Sequence, residues 1–179
     1  MEKPSLFKAS LNYGLILGAV AIVYSLLLYI LGQIGNQNMG YLSFVFYIVV
    51  MILGIKNYRE KFSDGFISYG NSFLIGLFIV LIGGIISSLF TFILFKFIDP
   101  GLVESMLEQV RQKMEAKGGL TEEQIDMAMK YTQTMMSPLW MFIWGLVASA
   151  FIGTILSLIV SIFMKKEGTP FDMPNTPQP

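Results

Sequence analysis

Four long stretches of the chain are apolar and free of charged residues, and polar segments separate them. A helix needs about 17–25 apolar residues to cross the hydrocarbon core of a bilayer, and each stretch is long enough. The first stretch is too long for the apolar region of a signal peptide, which spans about 7–15 residues. We therefore predict an all-α fold, a bundle of four transmembrane helices. The predicted spans cover residues 11–34, 39–55, 73–95 and 138–164.

The segment between the third and fourth spans, residues 99–137, is polar, but its apolar positions recur every three or four residues. This pattern predicts an amphipathic helical hairpin with its turn at Gly118-Gly119. Asp99-Pro100 predicts the N-cap and first turn of the first helix, and Thr121 with Gln124 predicts a capping box on the second. The two apolar stripes are Val103, Met106, Leu107, Val110 and Met114, and then Ile125, Ala128, Met129, Thr132 and Met136.

A shorter polar segment follows the second span. Ser63-Asp64 predicts the cap of a short helix in which aromatic residues recur at spacings of four, three and four. Such a stripe is typical of a helix that lies at the membrane interface. The predicted interfacial motif comprises Phe62, Asp64, Gly65, Phe66, Ser68, Tyr69 and Gly70, and the aromatic stripe ends at Phe73.

Basic residues alternate along the loops in a way that predicts the orientation, because short cytoplasmic loops collect Lys and Arg. They precede the first span, follow the second and follow the fourth, whereas residues 32–38 carry no charge. We expect both termini in the cytoplasm and residues 99–137 on the extracytoplasmic side. Residues 168–179 are rich in proline and poor in apolar residues, which predicts a disordered cytoplasmic tail.

Composition excludes several kinds of chemistry. The chain is 54% hydrophobic and 13% charged, with a formal net charge of zero, so we expect the lipid bilayer and not nucleic acid as its partner. It contains no cysteine and no histidine, which removes disulfides, thiolate nucleophiles and imidazole-based metal or triad sites. We predict no cofactor, no metal site and no catalytic residue, and hence no enzyme.

The predicted spans contain no ionisable side chain of the kind that marks proton relays and coupling-ion sites. Their deeper polar groups are hydroxyls, and small residues recur every fourth position, which lets helix backbones approach closely. Packing inside the bundle is the favoured interpretation, and a homo-oligomer seam and a hydroxyl-lined pore are the alternatives. The candidate packing residues are Gly14, Gly18, Gly76, Gly84, Ser88, Gly145, Ser149, Gly153, Ser157 and Ser161.

The order of the spans and the polar segment before the third span resemble a known family. The run that carries the likeness is Lys61-Phe62-Ser63-Asp64-Gly65-Phe66-Ile67-Ser68-Tyr69-Gly70-Asn71-Ser72-Phe73. It is similar to the stretch that precedes the third helix in domain of unknown function family 4199, a family of four-span membrane proteins of Bacteroidetes. The resemblance implies a bacterial inner membrane. It transfers no activity and no site residue.

Three functions agree with these patterns. The first is a non-enzymatic accessory or assembly protein that binds a protein partner through the methionine-rich hairpin. The alternative is a channel or carrier for a neutral or weakly polar solute, lined by hydroxyls of the third and fourth spans. The third is an enzyme that acts on lipid, and only the polar residues Ser63, Asp64, Tyr69 and Asn71 favour it.

Overall fold

The computed structural model describes residues 4–166 and confirms the all-α fold with four long apolar helices. The predicted tail, residues 168–179, lies outside the described residues. The four apolar helices are long enough to cross a bilayer, so the chain is a multi-pass membrane protein. The helices are α1 (Leu6–Ile30), α2 (Gln37–Phe62), α3 (Tyr69–Ile93), α4 (Gly101–Lys117), α5 (Glu122–Met135) and α6 (Pro138–Met164).

Helix α3 lies at the centre of the bundle and makes its most extensive contacts with α6 and α1. The core between these helices and the second half of α2 is made of large aliphatic side chains and Tyr58. Among them Met51, Ile55, Ile75 and Ile79 are fully buried. We call the end where α2 stops and α3 starts the termini end, and the opposite end, which carries α4 and α5, the α4–α5 end.

The contact between α3 and α6 follows a ladder of small residues. A Cβ atom added at Gly153 would stand 2.7 Å from Val80 Cγ1, and one added at Gly145 would stand 2.5 Å from Ser88 Oγ. Each step of four residues forward on α3 matches four residues back on α6, so the helices are antiparallel. The four rungs of the ladder are Gly76 with Ser157, Val80 with Gly153, Gly84 with Ser149, and Ser88 with Gly145.

The contact between α1 and α3 is also close, but the two helices are parallel. A Cβ atom added at Gly14 would stand 2.6 Å from Ile82 Cβ, and one at Gly18 would stand 2.7 Å from Ile86 Cβ. Because lipid tails are as apolar as these side chains, close van der Waals packing of this kind supplies the attraction between the helices. The glycines of α1 therefore hold it against α3.

The segment between α2 and α3 corrects one prediction. Ser63-Asp64 does not cap a short helix: Ser63 ends α2, and Asp64 and Gly65 have φ angles of 49° and 83°, which a helix does not allow. Ser68 is the residue that caps the next helix, since its side chain accepts a hydrogen bond from the Asn71 N–H. The predicted aromatic stripe from Phe62 to Phe73 is therefore broken before α3 begins.

The same segment contacts the end of α6. Ile67 and Lys166 exchange two backbone hydrogen bonds of 2.8 and 3.0 Å, and the Arg59 guanidinium donates to the carbonyl oxygen of Met164 at 3.2 Å. Lys166 Nζ lies 5.5 Å from the centre of the Phe66 ring. The end of α2 and the segment that follows it are thus joined to the end of α6 at the termini end.

A second prediction is wrong at the other end of α3, which continues into a π-helical turn, Leu94–Ile98. Asp99 does not cap α4: Pro100 occupies the N-cap position, and no side chain there accepts a hydrogen bond from the helix. The Asp99 carboxylate instead accepts a hydrogen bond from the Tyr29 hydroxyl at 3.1 Å. This contact ties the end of α1 to the segment after α3.

Helices α4 and α5 follow, and Gly118 and Gly119 between them both have positive φ angles. The capping box of Thr121 and Gln124 is present at the start of α5. Arg111 on α4 donates to the Asp126 carboxylate at 3.0 Å and to Glu115 at 3.1 Å. These contacts raise the pKa of Arg111 above its ordinary value. The hydrogen bond to Glu115 has the larger effect, and the negative charge of Asp126 has the next largest.

A hydroxyl-lined cavity as candidate functional site

A cavity of about 300 Å³ lies between α2, α3 and α6 in the half of the bundle toward the α4–α5 end. Its volume is at the lower limit of small-molecule sites, which run from about 300 to 1,000 Å³. The lining combines hydroxyls with apolar side chains. The lining residues are Ser43, Phe44 and Tyr47 of α2; Val80, Ser87, Ser88 and Thr91 of α3; and Met141, Gly145, Ala148, Ser149 and Ile152 of α6.

The cavity exists because, among the described residues, the buried side chains of α2 all lie in its second half. There Met51, Ile55 and Tyr58 are buried against α3 and its neighbours. The first half of α2 contacts α1, where the Tyr24 hydroxyl donates to the Met39 carbonyl at 2.7 Å. This half also faces the part of α6 that carries Gly145 and Ala148, whose small side chains leave space unfilled. The small residues that bring α6 close to α3 therefore leave a hollow on the side of α2.

Most hydroxyl protons around the cavity are already used. Ser43 Oγ donates to the Gly40 carbonyl at 2.6 Å, and Thr91 Oγ1 donates to the Ser87 carbonyl at 2.9 Å. Ser87 Oγ donates to Gly84 at 3.2 Å, and Ser149 Oγ donates to Leu146 at 2.8 Å. Because a hydroxyl has one proton and two lone pairs, each of these four groups can still accept a hydrogen bond.

Part of the cavity lining on α2 and α6 reaches the surface of the protein. Phe44 and Met141 are half-buried there, and Ala148 is exposed. None of the lining residues carries a charge. In a bilayer, the surface of a spanning helix away from the bundle core faces lipid, so this exposed part of the lining borders the membrane.

The structure divides the predicted packing residues among three places. Gly14 and Gly18 lie against α3, whereas seven others form the ladder between α3 and α6. Ser161 lies one step beyond the last rung, toward the termini end, where its hydroxyl and that of Ser72 are buried and have no hydrogen-bond partner among the described residues. The seven ladder residues are Gly76, Gly84, Ser88, Gly145, Ser149, Gly153 and Ser157.

Three of these ladder residues, Ser88, Gly145 and Ser149, also line the cavity, so the structure brings packing and cavity together. The predicted interfacial motif lies at the termini end and contributes nothing to the cavity lining. Sequence reasoning assigned the hydroxyls to the third and fourth spans and missed the contribution of α2. The available signal was the spacing of Ser43 and Tyr47, which puts both hydroxyls on one face of α2.

In the stretch from residue 4 to 166, no group of three or more acidic side chains is close enough together to hold a metal ion. Glu122 and Glu123 occupy the first turn of α5, where carboxylates interact favourably with the helix dipole.

Comparison with known proteins gives a family and no function. The sequence model of the family described as "Protein of unknown function (DUF4199)" matches residues 12–166. No curated protein and no solved structure matches the chain. The matched region contains all of α2 to α6, most of α1 and the run Lys61 to Phe73. Since the match covers most of the sequence, the chain belongs to the DUF4199 family of proteins of unknown function.

Proposed function

We propose that this protein is a non-enzymatic membrane protein that binds a neutral, weakly polar molecule in the cavity between α2, α3 and α6. The observation that carries the proposal is the lining itself, in which six hydroxyl-bearing side chains surround a hollow without any charged group. A charged ligand would lose its hydration there without gaining a counter-charge, which is strongly unfavourable in a membrane. A neutral ligand with a few polar atoms has no such cost.

The shape of the cavity favours a binding protein or a carrier over an open channel. Toward the termini end, Met51, Ile55, Ile75 and Ile79 are fully buried and fill the bundle core. The hollow is therefore closed at that end in this conformation. Carriage of the ligand across the membrane would require α2 to move relative to α3 and α6.

Filling the cavity tests this proposal. Ala148→Phe places a ring where an exposed alanine now borders the cavity, so the protein should fold while its site is occupied by its own side chain. Val147→Phe is the matched control, because Val147 is 52% exposed and does not line the cavity. Native mass spectrometry of both variants, released from mild detergent, measures which small molecules stay bound.

We expect a neutral molecule to accompany the wild-type protein and Val147→Phe and to be lost from Ala148→Phe. Two results contradict the proposal. One is a wild-type protein that carries no neutral molecule and shows no binding when membrane extract is added back. The other is equal occupancy in both variants, which would place the bound molecule elsewhere on the surface.

A second candidate function is an accessory role through a protein partner, and one observation favours it. On α5, the side chains of Met127, Tyr131 and Met135 are 61%, 68% and 46% exposed and lie along one face. Methionine-rich faces adapt to partner surfaces. A photocrosslinking residue at Tyr131 should capture a defined partner that the same residue at the polar, exposed position Gln112 does not. Identical patterns from both positions would contradict this role.

We also propose the bacterial inner membrane as the location, with both termini in the cytoplasm. The support is the placement of basic residues at the termini end, because cytoplasmic loops carry an excess of Lys and Arg. Lys8, at the start of α1, belongs to this end, as do basic residues in the last two turns of α2 and directly after α6. These are Lys56, Arg59, Lys61, Lys165 and Lys166.

A further inference from the structure

The ligand class follows from the hydrogen-bonding state of the cavity, if the proposed function holds. Four of the hydroxyl groups, those of Ser43, Ser87, Thr91 and Ser149, donate their protons to carbonyls of their own helices. These four present oxygen lone pairs to a ligand. The other two lining hydroxyls have neighbours of their own: that of Tyr47 is hydrogen-bonded with Ser87, and Ser88 Oγ faces Gly145 across the ladder. We infer that the cavity binds a neutral amphiphile whose head group donates hydrogen bonds, such as the glycerol diol of a monoacylglycerol.

If these four hydroxyls rotated to donate to a ligand, they would lose their hydrogen bonds to the carbonyl oxygens of their own helices. A serine or threonine inside a membrane that gives up its carbonyl partner must find another acceptor, because lipid offers none. A ligand that has only hydrogen-bond acceptors, such as an ether, could bind these hydroxyls only by breaking their bonds to the helix carbonyls, and that loss would offset the bonds gained. A ligand that brings O–H groups adds its hydrogen bonds to those already made.

The size of the cavity and its border at the protein surface favour an amphiphile over a free polyol. A volume of about 300 Å³ holds a small head group and not a whole lipid. This border on α2 and α6 includes Phe44, Met141 and the exposed Ala148, which are apolar. An acyl chain can leave the cavity there and continue into the bilayer. The polar head group thus fits the hydroxyl-lined cavity, and the acyl chain fits its apolar border.

The absence of charge along the lining selects the head group further. Phosphate and ammonium heads would need a counter-charge, and the lining offers none. Neutral heads with two O–H donors, the vicinal diol above all, fit both the acceptors and the missing charge.

The test uses the full chain in phosphatidylcholine nanodiscs and two probes that share one acyl chain with a diazirine near the head. One probe is a 1-monoacylglycerol, and the other is its 2,3-di-O-methyl ether, which keeps the oxygens and loses both donors. Saturable crosslinking to peptides of α2 and α6, read by mass spectrometry against probe mole fraction, gives the relative affinities. We expect the ether to bind about tenfold more weakly or worse, since two hydrogen bonds are lost.

A matched pair of variants locates the effect. Thr91→Val should weaken binding of the diol about three- to tenfold, because it removes one acceptor from the lining while conserving shape. Thr154→Val is the control: Thr154 also donates to a carbonyl of its own helix, at 2.7 Å, but does not line the cavity. It should leave binding unchanged.

The outcomes separate the two proposals. If the ether binds as tightly as the diol and Ala148→Phe abolishes both, the inferred ligand class is wrong and the proposed binding function stands. If neither probe crosslinks saturably, the inference is overturned, and the mass-spectrometric comparison of Ala148→Phe with Val147→Phe decides on the function independently. Equal loss of diol binding in Thr91→Val and Thr154→Val would also overturn the inference.

Discussion

At Gly153 the backbone of α6 lies directly against Val80 of α3, and an added Cβ atom would stand 2.7 Å from Val80 Cγ1. Gly153→Leu should therefore destabilise the bundle by about 1–3 kcal/mol, as overpacking of a closed interior does. Ile155→Leu conserves volume at a 43% exposed position and should cost less than about 1.5 kcal/mol. Thermal unfolding of both variants in one detergent measures the difference.

A second substitution on the facing helix makes this prediction sharper. Val80→Ala removes the two methyl groups that Gly153 now meets, so it should recover part of the stability lost in Gly153→Leu. Val147→Ala, which truncates an exposed valine of α6 in the same way, should recover none. Equal melting temperatures for Gly153→Leu and Ile155→Leu would show that the ladder contributes nothing to stability.

Individual residues were predictable where their role depends on spacing along one helix. The small residues of α6 recur every fourth position, and this spacing alone indicates a shared face. Which side chain faces each of them depends on how the helices are arranged, and the residues around a given position do not determine that arrangement. Val80 breaks the run of small residues on α3, yet it fills the space over Gly153. Ser43 and Tyr47 join the cavity for the same nonlocal reason.

At the scale of elements, the start of α5 offers a clean test. Thr121 accepts a hydrogen bond from the Gln124 N–H, and the Gln124 side chain accepts one from the Thr121 N–H. Thr121→Ala removes the first of these bonds and should destabilise α5 locally by about 0.5–2 kcal/mol. Hydrogen exchange of the α5 amides should speed up accordingly. Thr134→Ala, which loses only a hydroxyl bond to Lys130 within the same helix, is the control. Equal exchange in both variants would contradict the role of the cap.

The start of a helix was predictable where the residues that cap it lie within a few positions of one another. It was not predictable where a distant residue binds the expected capping side chain. The capping box spans four residues, and it is present. Asp99 was predicted to cap α4, but its carboxylate binds the hydroxyl of Tyr29, which is 70 residues away in sequence. The short helix predicted at Ser63-Asp64 does not form: Asp64 and Gly65 have positive φ angles, and Ile67 beyond them pairs with the distant Lys166.

At the scale of the whole molecule, orientation is the property to test, and the chain has no cysteine to interfere with labelling. Lys117→Cys, at the end of α4, should react with an impermeant maleimide applied to intact cells. Lys61→Cys, at the end of α2, should react only after the membrane is opened. Both lysines are exposed, so reactivity reports the side of the membrane and not burial. The reverse pattern would exclude the proposed orientation.

The number of spanning helices was predictable because it depends only on composition over about 20 residues at a time. Their arrangement was not. Three features depend on contacts between distant segments: α1 runs parallel to α3, α6 runs antiparallel to it, and the first half of α2 contacts α1 and leaves a hollow beside α6. The cavity is a product of that arrangement: spacing along each helix indicates a hydroxyl-bearing face, and only contacts between the helices bring these faces together.

The ladder between α3 and α6 has a consequence for how sequences of this family can diverge. Every rung holds a fixed amount of space for two side chains, and the backbones on both sides are too close to yield. A larger residue on one helix is then tolerated only with a smaller one on the other, as Val80 and Gly153 illustrate. We therefore expect side-chain volume to covary across the family at each pair of facing positions, so that the combined volume of the two side chains stays constant. The pairs are 76 and 157, 80 and 153, 84 and 149, and 88 and 145.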